Sequence, residues 1–276
     1  MMKTKRRKRI GIFDSGFGGL HVLRSVANAL PQYEYVYLGD TARAPYGDRS
    51  QETILAFTKQ GVNFLFRRGC GIVIVACHTA ASEAVRKIQD AYMKKRNPQK
   101  KVLGVLIPAT EEAVRKTKNR RIGVIATERT VASHKFVREL TGLDPGIRVF
   151  QQACPLLVPM IEAGKLNSSK MQLALKKYLA PLLRKNIDTL ILGCTHYGIL
   201  ERKIRTIIGP EIRIVSEARV VPGKLKKYLK KHTEIEKTLG KRSSIRFYST
   251  DHTHNFELLG SRIFGKTIRA QKVTLR

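Results

Sequence analysis

Short runs of consecutive apolar residues alternate along this chain with longer stretches in which apolar residues recur at every third or fourth position. The runs are rich in valine and isoleucine, as are strands buried on both faces of a parallel sheet. The longer stretches have the spacing of helices that pack one face on such a sheet. Because the two patterns alternate almost throughout, the sequence predicts a doubly wound, parallel-sheet α/β fold in two halves.

One pattern, an apolar run that ends in a small residue, a cysteine and a polar cluster, occurs twice. The copies are GIVIVACHTAAS at residues 71–82 and TLILGCTHYGIL at residues 189–200. Cys77 and Cys194 therefore fall at the carboxyl ends of predicted strands, where open α/β sheets bind ligands. A free cysteine is usually only a small buried apolar residue. Here the cysteine occurs twice, each time at the end of a predicted strand and beside polar residues. This repetition favours a site between two pseudo-symmetric domains, with one thiol on each side of the ligand.

Other polar segments also follow predicted strands. The strand at residues 9–13 ends in the turn DSGFGG at residues 14–19, which suits an anion at a helix N-terminus but is by itself also an ordinary turn. A long loop follows the strand at residues 35–38, and Ser50 is predicted to cap the next helix. Further strands are predicted at residues 102–107, 121–125, 147–152, 213–215 and 245–248, with Pro108 at the tip of the first, and a basic helix at residues 223–239.

Composition excludes several classes of protein. Four cysteines in 276 residues, without a CxxC pair, indicate reduced thiols rather than a disulfide scaffold or a zinc site. A strand and a glycine turn follow the basic start, so we expect no signal peptide. No stretch has the length of a membrane span. We therefore expect a cytoplasmic protein.

The chain is strongly basic, with 53 lysines and arginines against 21 aspartates and glutamates and a net charge of +32. Such a charge attracts nucleic acid at low salt. The basic residues are dispersed, however, with runs at residues 3–9, 94–96, 116–121 and 224–231. Dispersion favours solvated basic surfaces over one nucleic-acid footprint. A nucleic-acid-associated protein on the same fold is kept as an alternative.

Five short motifs occur along the chain in a fixed order: DSG at residues 14–16, PYG at 45–47, ACHT at 76–79, ACP at 153–155 together with Glu162, and GCTHY at 193–197. Together, in this order, they resemble the glutamate racemase family of the aspartate/glutamate racemase superfamily. The resemblance runs from about residue 10 to about residue 264. It implies a cofactor-independent enzyme that interconverts L- and D-glutamate and supplies D-glutamate for peptidoglycan, and hence for the cell wall and cell shape. We also expect a homodimer and no metal.

The resemblance implies roles for five catalytic residues. Two cysteines of this family act as acid and base on opposite faces of the α-carbon, so Cys77 and Cys194 would exchange roles with the direction of reaction. Because a free thiol has a pKa of about 8.5, one of them needs help to ionise at neutral pH. The resemblance places Asp14 beside Cys77, and His196 with Glu162 beside Cys194, as groups that accept or supply the proton.

The same motifs imply a set of substrate contacts. They are Ser15, Tyr46, Gly47, His78, Thr79, Thr127 and Thr195. Their hydroxyl and backbone N–H groups suit the carboxylates and the ammonium of an amino acid. The three threonines would serve equally well as helix caps.

The chain departs from the family pattern at three places. His78 stands where the family has asparagine, Arg129 where it has glycine, and Gly198-Ile199 where it has Pro-Leu. Histidine titrates near neutrality and is larger than asparagine. The first two departures leave open a racemase of another acidic amino acid.

The strand and helix predicted after residue 213 have no sheet of their own to complete. We therefore predict a discontinuous first domain of residues 1–101 plus 213–276 and a second domain of residues 102–212, with the active site between them. The basic segment at residues 94–101 is predicted to be one crossover between the domains.

Overall fold

The computed structural model describes residues 7–93, 100–251 and 253–276, so most of the predicted crossover at residues 94–101 lies outside the described residues. The described strands form two parallel sheets. They are β1 (Arg9–Asp14), β2 (Tyr35–Gly39), β3 (Cys70–Val75), β4 (Lys101–Gly104), β5 (Arg121–Ala126), β6 (Arg148–Ala153), β7 (Thr189–Gly193), β8 (Arg213–Val215), β9 (Ile245–Ser249) and β10 (Ala270–Lys272). The first sheet has the order β10-β9-β2-β1-β3-β4 and the second the order β6-β5-β7-β8.

Helices connect the strands. They are α1 (Gly19–Ala29), α2 (Gln51–Arg67), α3 (His78–Glu83), α4 (Val85–Met93), α5 (Leu106–Lys116), α6 (Glu128–Ala132), α7 (Lys135–Leu143), α8 (Leu157–Glu162), α9 (Ser169–Leu183), α10 (Glu201–Ile208), α11 (Glu217–Lys231), α12 (Thr233–Glu236) and α13 (Thr253–Phe264), with 3-10 helices at Thr41–Arg43 and Thr195–Leu200. The predicted α/β fold with two parallel sheets is confirmed. Among the described residues, no helix combines the length and the apolar character that crossing a membrane requires.

Both sheets contain the same order of four strands, which places the two cysteines in equivalent positions. In the first sheet, β1 lies between β2 and β3; in the second, β5 lies between β6 and β7. From β1 the chain adds β2 on one side and then crosses to add β3 on the other side, so the order of strands reverses between β1 and β3. The order reverses in the same way between β5 and β7. Ligands of open α/β sheets bind at such a point, beyond the carboxyl ends of the strands. Cys77 follows β3 and Cys194 follows β7, so each thiol lies at one of these two points.

Two strands belong to a different half of the molecule than the predicted domain boundaries assign them to. Strand β4 pairs with β3 in the first sheet, and β8 pairs with β7 in the second. The prediction assigned each of these strands to the other domain. The division of the chain into two domains stays a prediction, with boundaries that now follow β4 and β8.

The two halves share one buried core. Phe13 and Val73 of the first sheet belong to the same apolar cluster as Val124 and Ile191 of the second. Burial of apolar area is the main favourable contribution to folding. The packing between the halves therefore holds the ends of both sheets against each other.

Two predicted elements differ from the observed ones by several residues, whereas the other predicted strands differ by at most one residue at either end. The predicted strand at residues 102–107 ends at Gly104, and α5 begins at Leu106. The apolar run continues because the start of α5 is buried as well. Pro108 lies in the first turn of α5, where its missing N–H removes no helical hydrogen bond.

The basic helix predicted at residues 223–239 instead begins at Glu217 and ends at Lys231. Pro222 lies inside this helix, α11, and proline normally signals a helix boundary. Burial of the neighbouring Val221 and Leu225 in an apolar cluster of the first sheet stabilises the turn that contains it. The earlier start places Glu217 at the carboxyl end of β8.

Candidate active site

One cavity at the facing ends of the two sheets contains nearly all of the predicted site residues. It is lined by Ser15, Tyr46, Gly47, Cys77, His78, Thr79, Thr127, Glu162, Cys194, Thr195 and His196. Asp14, the one other predicted residue, lies directly behind this lining and is fully buried. The structure thus brings the predicted residues together, while their roles in a reaction stay predictions.

The Cys77 thiol lies between a carboxylate and several hydrogen-bond donors. Ser15 Oγ donates to Cys77 Sγ at 3.2 Å, and the Ala80 N–H of α3 approaches it at 3.5 Å. Burial and the charge of Asp14 raise the pKa of Cys77 to about 11, although these donors act in the opposite direction. Cys77 is therefore a thiol at neutral pH that has donors in place for the thiolate.

Asp14 ends β1 and has its hydrogen bonds supplied by both halves of the molecule. Its Oδ2 accepts from the Gly16 N–H at 3.0 Å and its Oδ1 from the Thr195 hydroxyl at 3.2 Å. Burial raises the pKa of Asp14 despite these bonds and the nearby charge of His196. A carboxyl group with a raised pKa beside a thiol is suited to accepting and returning a proton.

The Cys194 thiol has an imidazole as its neighbour. Cys194 Sγ and His196 Nδ1 are 3.8 Å apart, and His196 Nε2 lies 3.1 Å from Glu162 Oε1. Burial raises the pKa of Cys194 well above its usual value. Burial alone would lower the pKa of His196, but the hydrogen bond and charge of Glu162, together with the charges of Asp14 and Glu217, raise it overall. This imidazole is thus equipped to hold a proton next to the thiol.

Close approach of the two halves depends on a glycine at the start of α1. A Cβ on Gly18 would lie 2.5 Å from Thr195 Oγ1 and 2.6 Å from the His196 backbone nitrogen. Any other residue would push the turn after β1 away from the segment after Cys194. Gly18 thus explains how Asp14 of one half reaches Thr195 of the other.

Three threonine hydroxyls form a second contact between the halves. Thr79 Oγ1 lies 3.0 Å from Thr127 Oγ1 and 3.2 Å from Thr130 Oγ1, and the last two are 2.9 Å apart. Thr127 also caps α6, as the sequence allows. The hydroxyl of Tyr46 donates to Asp40, so its proton is already used within the protein.

His78 is paired with a residue that the sequence analysis missed. His78 Nε2 lies 3.3 Å from Glu217 Oε2, and the two side chains are 1% and 0% exposed. The ring of His78 also packs against Phe136 of α7, with ring centroids 5.5 Å apart. The sequence signal for Glu217 was the pair Ser216-Glu217 directly after a strand, comparable to Asp14-Ser15 at the end of β1.

The other two departures have structural explanations. Arg129 Nε donates to Glu83 Oε1 at 2.8 Å, and neither side chain lines the cavity. A Cβ on Gly198 would lie 2.7 Å from His21 Nδ1, so the glycine makes room for a partly buried histidine on α1. Of the three departures, only His78 meets the cavity directly.

The charge of the cavity is unusual in so basic a chain. Among the described residues, no lysine or arginine lines it, whereas Asp48, Glu128 and Glu162 do. An anionic ligand would therefore be held by hydroxyl and N–H donors and by the two histidines. In the described part of the chain, no three metal-ligating side chains form a group that could hold an ion.

Comparisons with known proteins agree with this geometry. Residues 10–220 match the sequence model of the Asp/Glu/Hydantoin racemase family. Glutamate racemase 2 of Caldanaerobacter subterraneus subsp. tengcongensis is 39% identical over 94% of this chain and 94% of its own. The crystal structure of glutamate racemase isoform RacE1 from Bacillus anthracis superposes with a TM-score of 0.90 at 34% identity, covering 98% of both chains.

This chain belongs to the Asp/Glu/hydantoin racemase family. The resemblance inferred from the five motifs is thereby confirmed. A further member of the family, glutamate racemase from Francisella tularensis subsp. tularensis, was crystallised with D-glutamate. It superposes with a TM-score of 0.87 at 30% identity, covering 98% of both chains. The two-sheet architecture of this chain is therefore the architecture of the racemases to which it is similar.

Proposed function

We propose that this racemase interconverts L- and D-glutamate with Cys77 and Cys194 as its two acid/base groups. The observation that carries the proposal is that both thiols line one cavity and that each has a different proton-handling neighbour, Asp14 for Cys77 and His196 for Cys194. All four cysteines of the chain are free. Supply of D-glutamate for peptidoglycan is the role proposed for the product.

The reaction requires one proton to leave and another to arrive. The thiolate of one cysteine takes the α-proton, which leaves its electron pair on the α-carbon. The thiol of the other cysteine then gives its proton to the opposite face, which inverts the centre. The first cysteine is now a thiol and the second a thiolate, so the same site is ready for the reverse reaction. Asp14 and His196 would restore the starting state by passing protons to and from the sulfurs.

The lining of the cavity supports a small acidic amino acid as substrate. Two carboxylates find the hydroxyls of Thr79, Thr127 and Thr195 together with backbone N–H groups at helix starts, which are suited to anions. The ammonium finds the hydroxyl of Ser15 near the sulfur of Cys77, with the carboxyl group of Asp14 buried behind this lining. The complex of the Francisella relative with D-glutamate supports the same class of substrate.

Exchange of the α-proton tests this proposal. Purified protein is incubated with L-glutamate, and separately with D-glutamate, in deuterated water without added cofactor. We expect optical rotation to decay to zero from either side, with deuterium at the α-carbon of the product. Retention of optical purity in both incubations would contradict the proposal.

Another acidic amino acid is a second candidate, which His78 supports because it lines the cavity in place of the asparagine of the family. Arg129 no longer supports it, since its side chain pairs with Glu83 away from the cavity. A panel of L- and D-amino acids separates the candidates. A kcat/KM higher for another acidic amino acid than for glutamate would favour the second one.

Three expectations from the sequence stay predictions. Light scattering tests the homodimer, and fractionation of cells tests the cytoplasmic location. Binding to DNA and RNA across a range of salt tests the nucleic-acid alternative. Affinity that vanishes at physiological salt would leave that alternative without support.

A further inference from the structure

A buried pair, His78 and Glu217, joins the segment that follows β3 to the segment that follows β8. His78 is the first residue of α3, which follows Cys77, and Glu217 is the first residue of α11, which follows β8. Glu217 is 0% exposed and His78 1%. A buried carboxylate is costly unless it is paired and hydrogen-bonded. The cost indicates that this pair has a purpose beyond packing.

Several features hold Glu217 in place. It begins a helix of 15 residues, where the helix dipole favours a negative charge. Helix α11 packs on α1 and α5, so the carboxylate has a rigid support. The charge of Glu217 also reaches His21 on α1, and both Cys194 and His196 after β7. His78 Nε2 is the hydrogen-bond partner of one Glu217 oxygen.

The second nitrogen of His78 lacks a partner. Nδ1 is buried and makes no hydrogen bond within the described part of the protein, yet His78 lines the cavity. Buried polar atoms are nearly always hydrogen-bonded, so an unpaired one on a residue that lines a cavity is a position where a bound group can supply the missing hydrogen bond. Since Nε2 is occupied by Glu217, Nδ1 is the nitrogen left for that ligand.

We propose that Glu217 is a positioning residue that holds the His78 ring by Nε2 and thereby presents Nδ1 to a polar group of the bound amino acid. The proposal rests on the proposed function, because the ligand is the substrate of the racemase. It assigns Glu217, which does not line the cavity, an effect on substrate binding through His78. Histidine ligands in other sites are oriented in the same way by a carboxylate on the far nitrogen.

Nitrogen NMR of the wild-type protein tests the proposal directly. Protein labelled with 15N at histidine is titrated with D-glutamate, and the His78 signals are assigned by their loss in His78→Asn. We expect the Nδ1 signal to shift on saturation while Nε2 keeps its proton. Saturation without a shift of Nδ1 would overturn the proposal. If the wild type racemises glutamate in that case, the proposed function stands and only the role of Glu217 fails.

Kinetics of a double-mutant cycle give a second test. Glu217→Gln keeps the size of the side chain and removes its charge. It should raise KM for both enantiomers about tenfold, the effect of weakening one hydrogen bond to a charged group. In a His78→Asn background the same change should alter KM less than about twofold, because the group that it positions is gone. An equal increase in both backgrounds would overturn the proposal.

Glu83→Gln is the matched control. Glu83 is also a buried glutamate and pairs with Arg129 of the other half, but neither side chain lines the cavity. We expect this variant to unfold at a lower temperature with KM changed less than about twofold. A tenfold rise of KM in Glu83→Gln would show that loss of any buried pair loosens the site, which would contradict a specific role for Glu217.

Discussion

The Cys77 and Cys194 sides of the cavity have the same backbone plan and different chemistry. Each thiol follows the third strand of the same four-strand order. Cys77 caps a helix and accepts hydrogen bonds from Ser15 and Ala80. Cys194 precedes a 3-10 helix, receives no side-chain cap bond of this kind, and lies 3.8 Å from the His196 imidazole.

The fold positions both thiols in equivalent places, whereas their neighbours are not repeated: a carboxyl group lies beside Cys77 and an imidazole beside Cys194. Under the proposed function, these neighbours would give the two sides different proton carriers. The two sides should therefore respond differently to substitution. Because enantiomers have equal free energy, kcat/KM must fall by the same factor in both directions. The side that a substitution affects is instead visible in primary deuterium isotope effects.

Removal of either thiol should have the largest effect. Cys77→Ser and Cys194→Ser should each lower racemisation by more than about 10⁴-fold, because a serine hydroxyl is far too weak an acid to replace a thiol. Decay of optical rotation measures the rate. Racemisation within about tenfold of the wild type in either variant would show that the repeated cysteines only pack the core.

Loss of the imidazole should come next. His196→Asn should lower kcat/KM by about 10²- to 10⁴-fold, as expected for an aid to proton transfer. The isotope effect should rise for the enantiomer whose α-proton goes to Cys194 and should stay near the wild-type value for the other. In Asp14→Asn the isotope effect should instead rise for the enantiomer whose α-proton goes to Cys77. The same enantiomer affected in both variants would contradict the division of the site into two sides.

Alkaline pH should reveal the buried thiol of Cys77 as a loss of stability. Its folded pKa of about 11 lies above the unfolded value of about 9, so the folded state keeps a proton that the unfolded state releases. The free energy of unfolding is therefore intact below pH 9 and falls as the pH rises toward 11, by about 3 kcal/mol for this group. Denaturant unfolding at a series of pH values measures the fall. In Cys77→Ala the free energy of unfolding should fall by about 3 kcal/mol less over the same pH range. A fall as large as that of the wild type would contradict the raised pKa of Cys77.

Removal of one donor should have the smallest effect. Ser15→Ala takes away the hydroxyl that donates to Cys77 and should lower kcat/KM about tenfold. The isotope effect should rise only for the enantiomer that Cys77 deprotonates. An increase for both enantiomers would show that Ser15 orders the whole cavity rather than one sulfur.

Much of the fold follows from local patterns. The apolar runs that became β3 and β7 are buried along their whole length, and Ser50 caps α2 as expected. Strand β10 has no such run, because residues 270–272 are mostly polar and pair at the edge of the first sheet. Polar edge strands depend on their neighbour rather than on their own sequence.

Site residues at the ends of strands were predictable from the sequence. Site residues defined by a contact with a residue far away in the sequence were not. Asp14 ends β1, and Cys77 and Cys194 follow β3 and β7. Glu217 was missed because the helix was predicted to begin at residue 223 and because its partner, His78, is 139 residues away. Thr130, which completes the hydroxyl cluster, was missed for the same reason, since its contact with Thr79 exists only when the two halves meet.

The central claim is that each thiol serves one face of the α-carbon, and solvent exchange tests it most directly. Cys77→Ser and Cys194→Ser are each incubated in deuterated water with L-glutamate and with D-glutamate, and loss of the α-proton signal is followed by 1H NMR. The account predicts that each variant exchanges the α-proton of one enantiomer without racemising it, and that the two variants act on opposite enantiomers. Exchange of the same enantiomer by both variants would contradict it.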